Sequence, residues 1–258
     1  RRLMTAIHGA WSVSLFVGAG LSSLGVAAAV PISVHLPLSA ALVTAAAFPV
    51  LRWLPRGDVA VAEPVDHVAV RGWAGSGVLL LGLVAGSSFL LEGVAMEWSA
   101  VYLRDALGAA GGTVGLAVVV FSAGMATSRF VGDRLVRRSG QPLVVRVGAM
   151  AAVGSLAVML LVPSVPLSIV AFGIVGLGMG PVVPLAFRAA GRATRASGRS
   201  ALPIVVTAGY TGSIVGPALV GPLADAFGLR IAFVVPLVAC AIVAVAAPAT
   251  ATSDPAGS

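Results

Sequence analysis

Stretches without a single Asp, Glu or Arg dominate this chain, running over 3–51, 72–91, 106–128, 147–187, 200–224 and 231–253. An α-helix needs about 20 mostly apolar residues to cross the hydrocarbon core of a bilayer. Four of the stretches are about one span long. The other two, 3–51 and 147–187, are about twice that, and each is interrupted by a proline-bearing turn: Val30-Pro31-Ile32-Ser33 and Pro163-Ser164-Val165-Pro166. Proline lacks an N–H and disfavours helix in the residue before it, so both turns are natural breaks. The pattern predicts eight spans, at 4–28, 33–53, 73–100, 112–133, 143–162, 167–188, 202–223 and 230–248. The runs are continuous and rich in Ala, Leu and Val, without the roughly ten-residue alternation of barrel strands. The fold class is an all-α integral membrane bundle.

Composition sharpens this. Of the 258 residues 59% are hydrophobic and only 10% charged, against about a quarter charged in a soluble domain. The charges are too few to wet a globular surface of this size. All 16 basic residues are arginine and the net charge is +7, which on a soluble surface would point to a polyanionic partner. Here the arginines cluster between apolar runs and no nucleic-acid module is present. They fit loops facing an anionic cytoplasmic leaflet, with the lipid bilayer and not nucleic acid as partner. If the first span starts in the cytoplasm, all arginines but Arg104 and Arg230 fall on the cytoplasmic side. That places the protein in the cell membrane with both ends of the chain inside. Cys240, the only cysteine, has no internal disulfide partner and belongs to no Cys/His cluster, so neither a metal nor a cofactor is expected.

Small residues recur four apart at Gly82/Gly86, Gly111/Gly115, Gly176/Gly180 and Gly212/Gly216. Four residues is about one turn, so each pair opens a notch for another helix; close packing within the bundle and a dimer interface both use such notches. Span 167–188 adds Pro181 and Pro184 to its glycines. A broken helix of this kind is tolerated where it lines a protein-enclosed cavity, and an inert kink is the competing reading.

Few residues inside the spans can carry chemistry. Glu92 lies within the third span, and a carboxylate there must face the interior, paired or protonated. Burial disfavours a carboxylate's charged form, which suits reversible protonation coupled to solute movement; a structural hydrogen bond is the alternative. Glu97 lies further out, beside Trp98 and Tyr102, where aromatic residues favour the membrane interface, and reads as a solvated side chain or a pathway residue. His8, with Trp11 nearby, is either a relay or a histidine satisfied by a neighbouring helix. Tyr210, near the middle of the seventh span, suits a cavity wall or a bond across helices. No phosphate-cradling G-x-x-x-x-G-K-[ST] loop is present, and no two polar residues converge at one depth as an enzyme site would need. The protein is read as not an enzyme.

Several segments together resemble a known family. They are His8-Gly9-Ala10-Trp11-Ser12, Glu92 through Leu103 (EGVAMEWSAVYL), Arg129 through Arg138 (RFVGDRLVRR), Gly209-Tyr210, Gly216 through Gly221 (GPALVG) and Gly228-Leu229-Arg230. In order and spacing the chain resembles the last eight helices of a twelve-helix major facilitator superfamily transporter, most like bacterial members loosely related to fucose permease. The resemblance implies that 1–54 holds the last two helices of the N-terminal half, 55–72 the central cytoplasmic loop and 73–249 the six-helix C-terminal half, with 250–258 a disordered tail. It also makes the chain, which opens Arg1-Arg2 without an initiating methionine, a piece of a longer protein unable to transport alone. The implied activity is alternating-access transport of a small organic solute, coupled to protons, by a protein that is monomeric when complete. A non-transporting scaffold or remnant, or an integral-membrane enzyme, is the alternative. The family's gating loop maps onto Arg129, Gly132, Asp133, Arg134, Arg137 and Arg138. The match is imperfect, because Asp133-Arg134 follows Gly132 directly and the family's usual acidic position falls nearest Arg137. An ion pair between Arg129, near the cytoplasmic mouth, and Asp133 at i+4 is expected.

Overall fold

The computed structural model describes residues 2–51, 76–197 and 201–251. The expected central loop 55–72 and nearly all of the expected tail 250–258 lie outside them. Among the described residues the chain is helical throughout, with α1 Arg2–Ala27, α2 Ile32–Leu51, α3 Ser76–Val101, α4 Leu116–Ser139, α5 Gln141–Leu161, α6 Val165–Met179, α7 Val182–Ser197, α8 Leu202–Phe227, α9 Leu229–Ala232 and α10 Val234–Ala246. A π-helical turn, Tyr102–Ala106, extends α3, and 3₁₀ turns precede α4 at Gly111–Gly115 and follow α10 at Ala247–Thr250. Thr250, assigned from sequence to the tail, is buried.

Punctuation follows from backbone chemistry. α4 stops at Gly140 and α8 at Gly228, with φ of 79° and 87°, a left-handed conformation that glycine adopts without steric cost. Pro142 and Pro166 sit in the first turns of α5 and α6, where a missing N–H loses nothing. Inside a helix the same residue breaks the ladder. Pro181 and Pro184 leave the carbonyls of Leu177 and Gly180 without their usual donors, and the sixth predicted span divides between α6 and α7 at Gly180-Pro181. Pro236 likewise strips the Ala232 carbonyl, and α9 gives way to α10 at Phe233.

Six stretches among the described residues are long and apolar enough to cross a membrane: Gly77–Ala106, Gly111–Ser139, Gln141–Leu161, Val165–Thr194, Leu202–Phe227 and Leu229–Thr250. The first two helices, 26 and 20 residues long, add the shorter apolar stretches Val13–Ala27 and Ile32–Ala45. The exterior confirms the solvent. Leu161 and Val245 are 77% and 79% exposed, and α2 shows Leu36, Leu38 and Val43 in the same way. In water each such side chain would forgo about 1.5–3 kcal/mol of burial; against lipid tails it forgoes nothing.

The interior is packed through glycine. α3 and α8 share the most extensive contact. A Cβ on Gly212 would run into the Gly86 carbonyl, and one on Gly86 would lie 3.1 Å from the Ala208 carbonyl. Gly148 and Gly178 face each other the same way between α5 and α6, and Gly176 meets the Phe121 carbonyl of α4. These notches seat helices of the same bundle. α1 packs on α4 and on the 3₁₀ turn before it, where Ser23 and Ala27 lie over Gly112 and Gly115. Cys240 is fully buried. So is Tyr102, whose ring lies 4.6 Å from that of Phe233; it belongs to the core and not to the membrane interface expected of it.

The arginines gather at one end. Arg134, Arg137 and Arg138 lie on the last turns of α4, and Arg188 and Arg192 on α7. Arg104 and Arg230 lie at the opposite end, where Arg230 donates to the Leu160 carbonyl at the end of α5.

Candidate transport site

Two ionisable side chains meet in the middle of the bundle. Arg129, on α4, brings its guanidinium to 3.7 Å from the Glu92 carboxylate of α3, and the side chains are only 5% and 17% exposed. A lone charge at mid-membrane costs about 2.5–3.5 kcal/mol on insertion scales, so two opposite charges at one depth are expected to pair. The pair is also tied to a third helix. Arg129 Nε donates to the Gly180 carbonyl at 3.0 Å, the oxygen that Pro184 leaves without a helical donor. The guanidinium replaces, from another helix, the N–H that proline lacks.

Gly132, one turn further along α4, makes this approach possible. It is buried, and a Cβ there would lie 3.3 Å from the Pro181 ring. A cavity of about 20 Å³, room for one water, lies among Arg129, Asp133, Pro181, Pro184 and Arg188. Beyond it Asp133 accepts a 2.7 Å hydrogen bond from Arg188 of α7. Arg192, one turn on, donates to Gln141 Oε1 at the start of α5 at 2.9 Å.

These contacts correct one expectation. Arg129 does not pair with Asp133: the i+4 residue is taken by Arg188, and Arg129 meets Glu92 instead. α4 runs ten residues beyond Arg129 to Ser139, about 15 Å of helical rise. Arg134, Arg137 and Arg138 are exposed and occupy a helix end, not a loop, where cations complement the helix dipole.

The family model of the Major Facilitator Superfamily matches residues 80–258, which include every contact just described. The chain belongs to the Major Facilitator Superfamily. Similar proteins extend the likeness along the chain. An uncharacterized transporter, y4wD, of Sinorhizobium fredii is 33% identical over 251 residues, covering 96% of this chain and 65% of its own length. An uncharacterized MFS-type transporter of Yersinia pestis is also 33% identical, covering 98% of this chain and 64% of its own. The membrane protein MosC of Rhizobium meliloti is 28% identical over 94% of this chain and 60% of its own length. The chain thus spans just under two thirds of each of these relatives. No solved structure matches it. Two of the relatives of this facilitator chain carry the name of transporter and the third that of membrane protein.

Among the described side chains, Tyr210 and Glu97 do not join Glu92 and Arg129. Tyr210 is 60% exposed, its ring 5.6 Å from Phe89, which in turn lies 6.2 Å from Phe187; this aromatic file links α8, α3 and α7. Glu97 is exposed and lines a groove between α3 and α8. His8 lies on α1, and its side chain is outside the described residues. Arg188 went unrecognised as a site residue. Its signal was in the chain all along: Arg188, Arg192, Arg195 and Arg199 recur at i, i+4, i+7 and i+11, the spacing of one helical face.

Proposed function

We propose that this chain is the greater part of a secondary transporter that moves a small organic solute across the cell membrane by alternating access, coupled to protons through Glu92. The observation that supports it is the Glu92–Arg129 pair holding the Gly180 carbonyl at the α6/α7 break. Protonating Glu92 would remove a charge that anchors Arg129, and Arg129 donates a hydrogen bond from α4 to that carbonyl. A proton at one helix thereby alters the support of a break in another. Occupancy of Glu92 and the geometry of α7 become one variable, which is what coupling requires.

In the same reading α1 and α2 are the last two helices of the N-terminal half, and α3 to α10 form the six-span C-terminal half. The arginine-rich end faces the cytoplasm, because basic residues are retained on that side. The α1–α4 contact is then the seam between the halves.

The test uses the full-length protein in liposomes loaded with a pH-sensitive dye and challenged with sugars and amines. A solute that the protein carries should move protons with it. Glu92→Gln should abolish the proton movement and leave solute exchange in place, while Glu92→Asp should retain part of it. Proton movement undiminished in Glu92→Gln would remove Glu92 from the coupling.

A further inference from the structure

Glu97 is a carboxylate on a membrane-spanning helix that forms no ion pair or hydrogen bond among the described residues. It is exposed among the described residues. In lipid an unpaired carboxylate is costly, and such residues face water-filled cavities or pathways. The groove that Glu97 lines is open along one side and has a volume of about 760 Å³.

The groove arises from the local sequence. α3 and α8 touch at Gly93, where a Cβ would lie 2.9 Å from the Ser213 carbonyl and 3.2 Å from the Pro217 ring. One turn further along α3, Glu97 and Trp98 stand over the gap, with the Trp98 indole lying along α8 near Gly221.

Apart from the Trp98 indole N–H, the polar groups there are acceptors. Glu97 offers two acceptor oxygens. Pro217 lacks the N–H that would occupy the Ser213 carbonyl. The Ser213 hydroxyl donates its proton to the Tyr210 carbonyl at 2.8 Å, leaving only lone pairs. The face of Trp98 is electron-rich. No arginine lines the groove, and the rest of its wall, Ile214 and Pro217 among it, is apolar. A surface of acceptors, one negative charge, an indole and apolar walls selects a ligand with several N–H donors, a positive charge and an apolar body.

We propose that the α3–α8 groove is a binding site for an organic ammonium ion, its charge on Glu97 and its apolar part against Trp98 and Ile214. The assignment deepens the transporter reading by naming the class of solute, and rests on that reading for its purpose.

Equilibrium binding of radiolabelled phenethylamine to the full-length protein in nanodiscs, with no pH gradient, tests it. Phenethylamine should bind saturably and resist displacement by 2-phenylethanol and phenylacetate, which keep the ring but lose or invert the charge. Glu97→Gln should weaken binding at least tenfold and Glu97→Asp much less. Ile214→Lys, at a residue 72% exposed, should block the site with its own ammonium group. Absence of saturable binding, equal displacement by 2-phenylethanol, or unchanged affinity in Glu97→Gln and Ile214→Lys would overturn the proposal. The outcome is separable from that at Glu92. If Glu92→Gln still moves protons while phenethylamine binds as described, the coupling falls and the ammonium site stands.

Discussion

At the scale of single residues, the molecule turns on how it accommodates a charge inside a membrane. Arg129 has a carboxylate on one side and a proline-freed carbonyl on the other. Removing one member of a buried pair strands the other, at about 3–5 kcal/mol. Arg129→Leu alone should therefore lower the thermal unfolding temperature in detergent sharply, and Glu92→Leu added to it should recover part of the loss. Equal or additive losses would mean that the two side chains act separately. The sequence disclosed that both residues are charges within spans, because charge in an apolar run is visible at once. It did not disclose the partnership. Spacing along one helix pointed from Arg129 to Asp133, but which residues of different helices share a depth and face is set by packing, to which sequence separation gives no key. Glu97 was legible in the same partial way: its charge was plain, and the acceptors around it depend on two helices meeting at Gly93.

At the scale of elements, hydropathy located the helices but not their ends. The predicted span 112–133 and the observed α4, Leu116–Ser139, differ because apolar composition marks where lipid stops. Arginine is a good helix former, so the helix continues past the hydrocarbon to Gly140. α7 runs on to Ser197 by the same logic, and its arginines at i and i+4 then clasp α4 and α5. Glycine spacing announced notches without saying what fills them; the structure fills them with neighbouring helices. Substitution separates seated glycines from free ones. Gly148→Ala drives a methyl into the Gly178 backbone and should destabilise by about 1–3 kcal/mol. Gly154→Ala, with nothing within 4 Å, should be neutral or stabilising by up to about 1 kcal/mol, since alanine is the better helix former. Thermal melts of the two variants in one detergent provide the comparison, and equal effects would contradict the packing at Gly148.

At the scale of the whole molecule, the one-ended distribution of arginine was the most legible feature, because it depends only on counting spans correctly. It can be read with thiols in a protein cleared of any other reactive cysteine, since Cys240, the one cysteine of this sequence, is fully buried. In intact cells an impermeant maleimide should label Asp225→Cys and leave Arg137→Cys untouched until the membrane is opened. The reverse pattern would invert the orientation. The break between α6 and α7 has a further consequence for how such a chain can change over generations. Pro184 is tolerable because a side chain from a distant segment supplies what it lacks, so neither position is free to drift alone. A lineage that lost the arginine would leave the Gly180 carbonyl without its partner from α4, and regaining an ordinary residue at 184 is the simplest repair. Positions 129 and 184 are thereby tied through one carbonyl, that of Gly180.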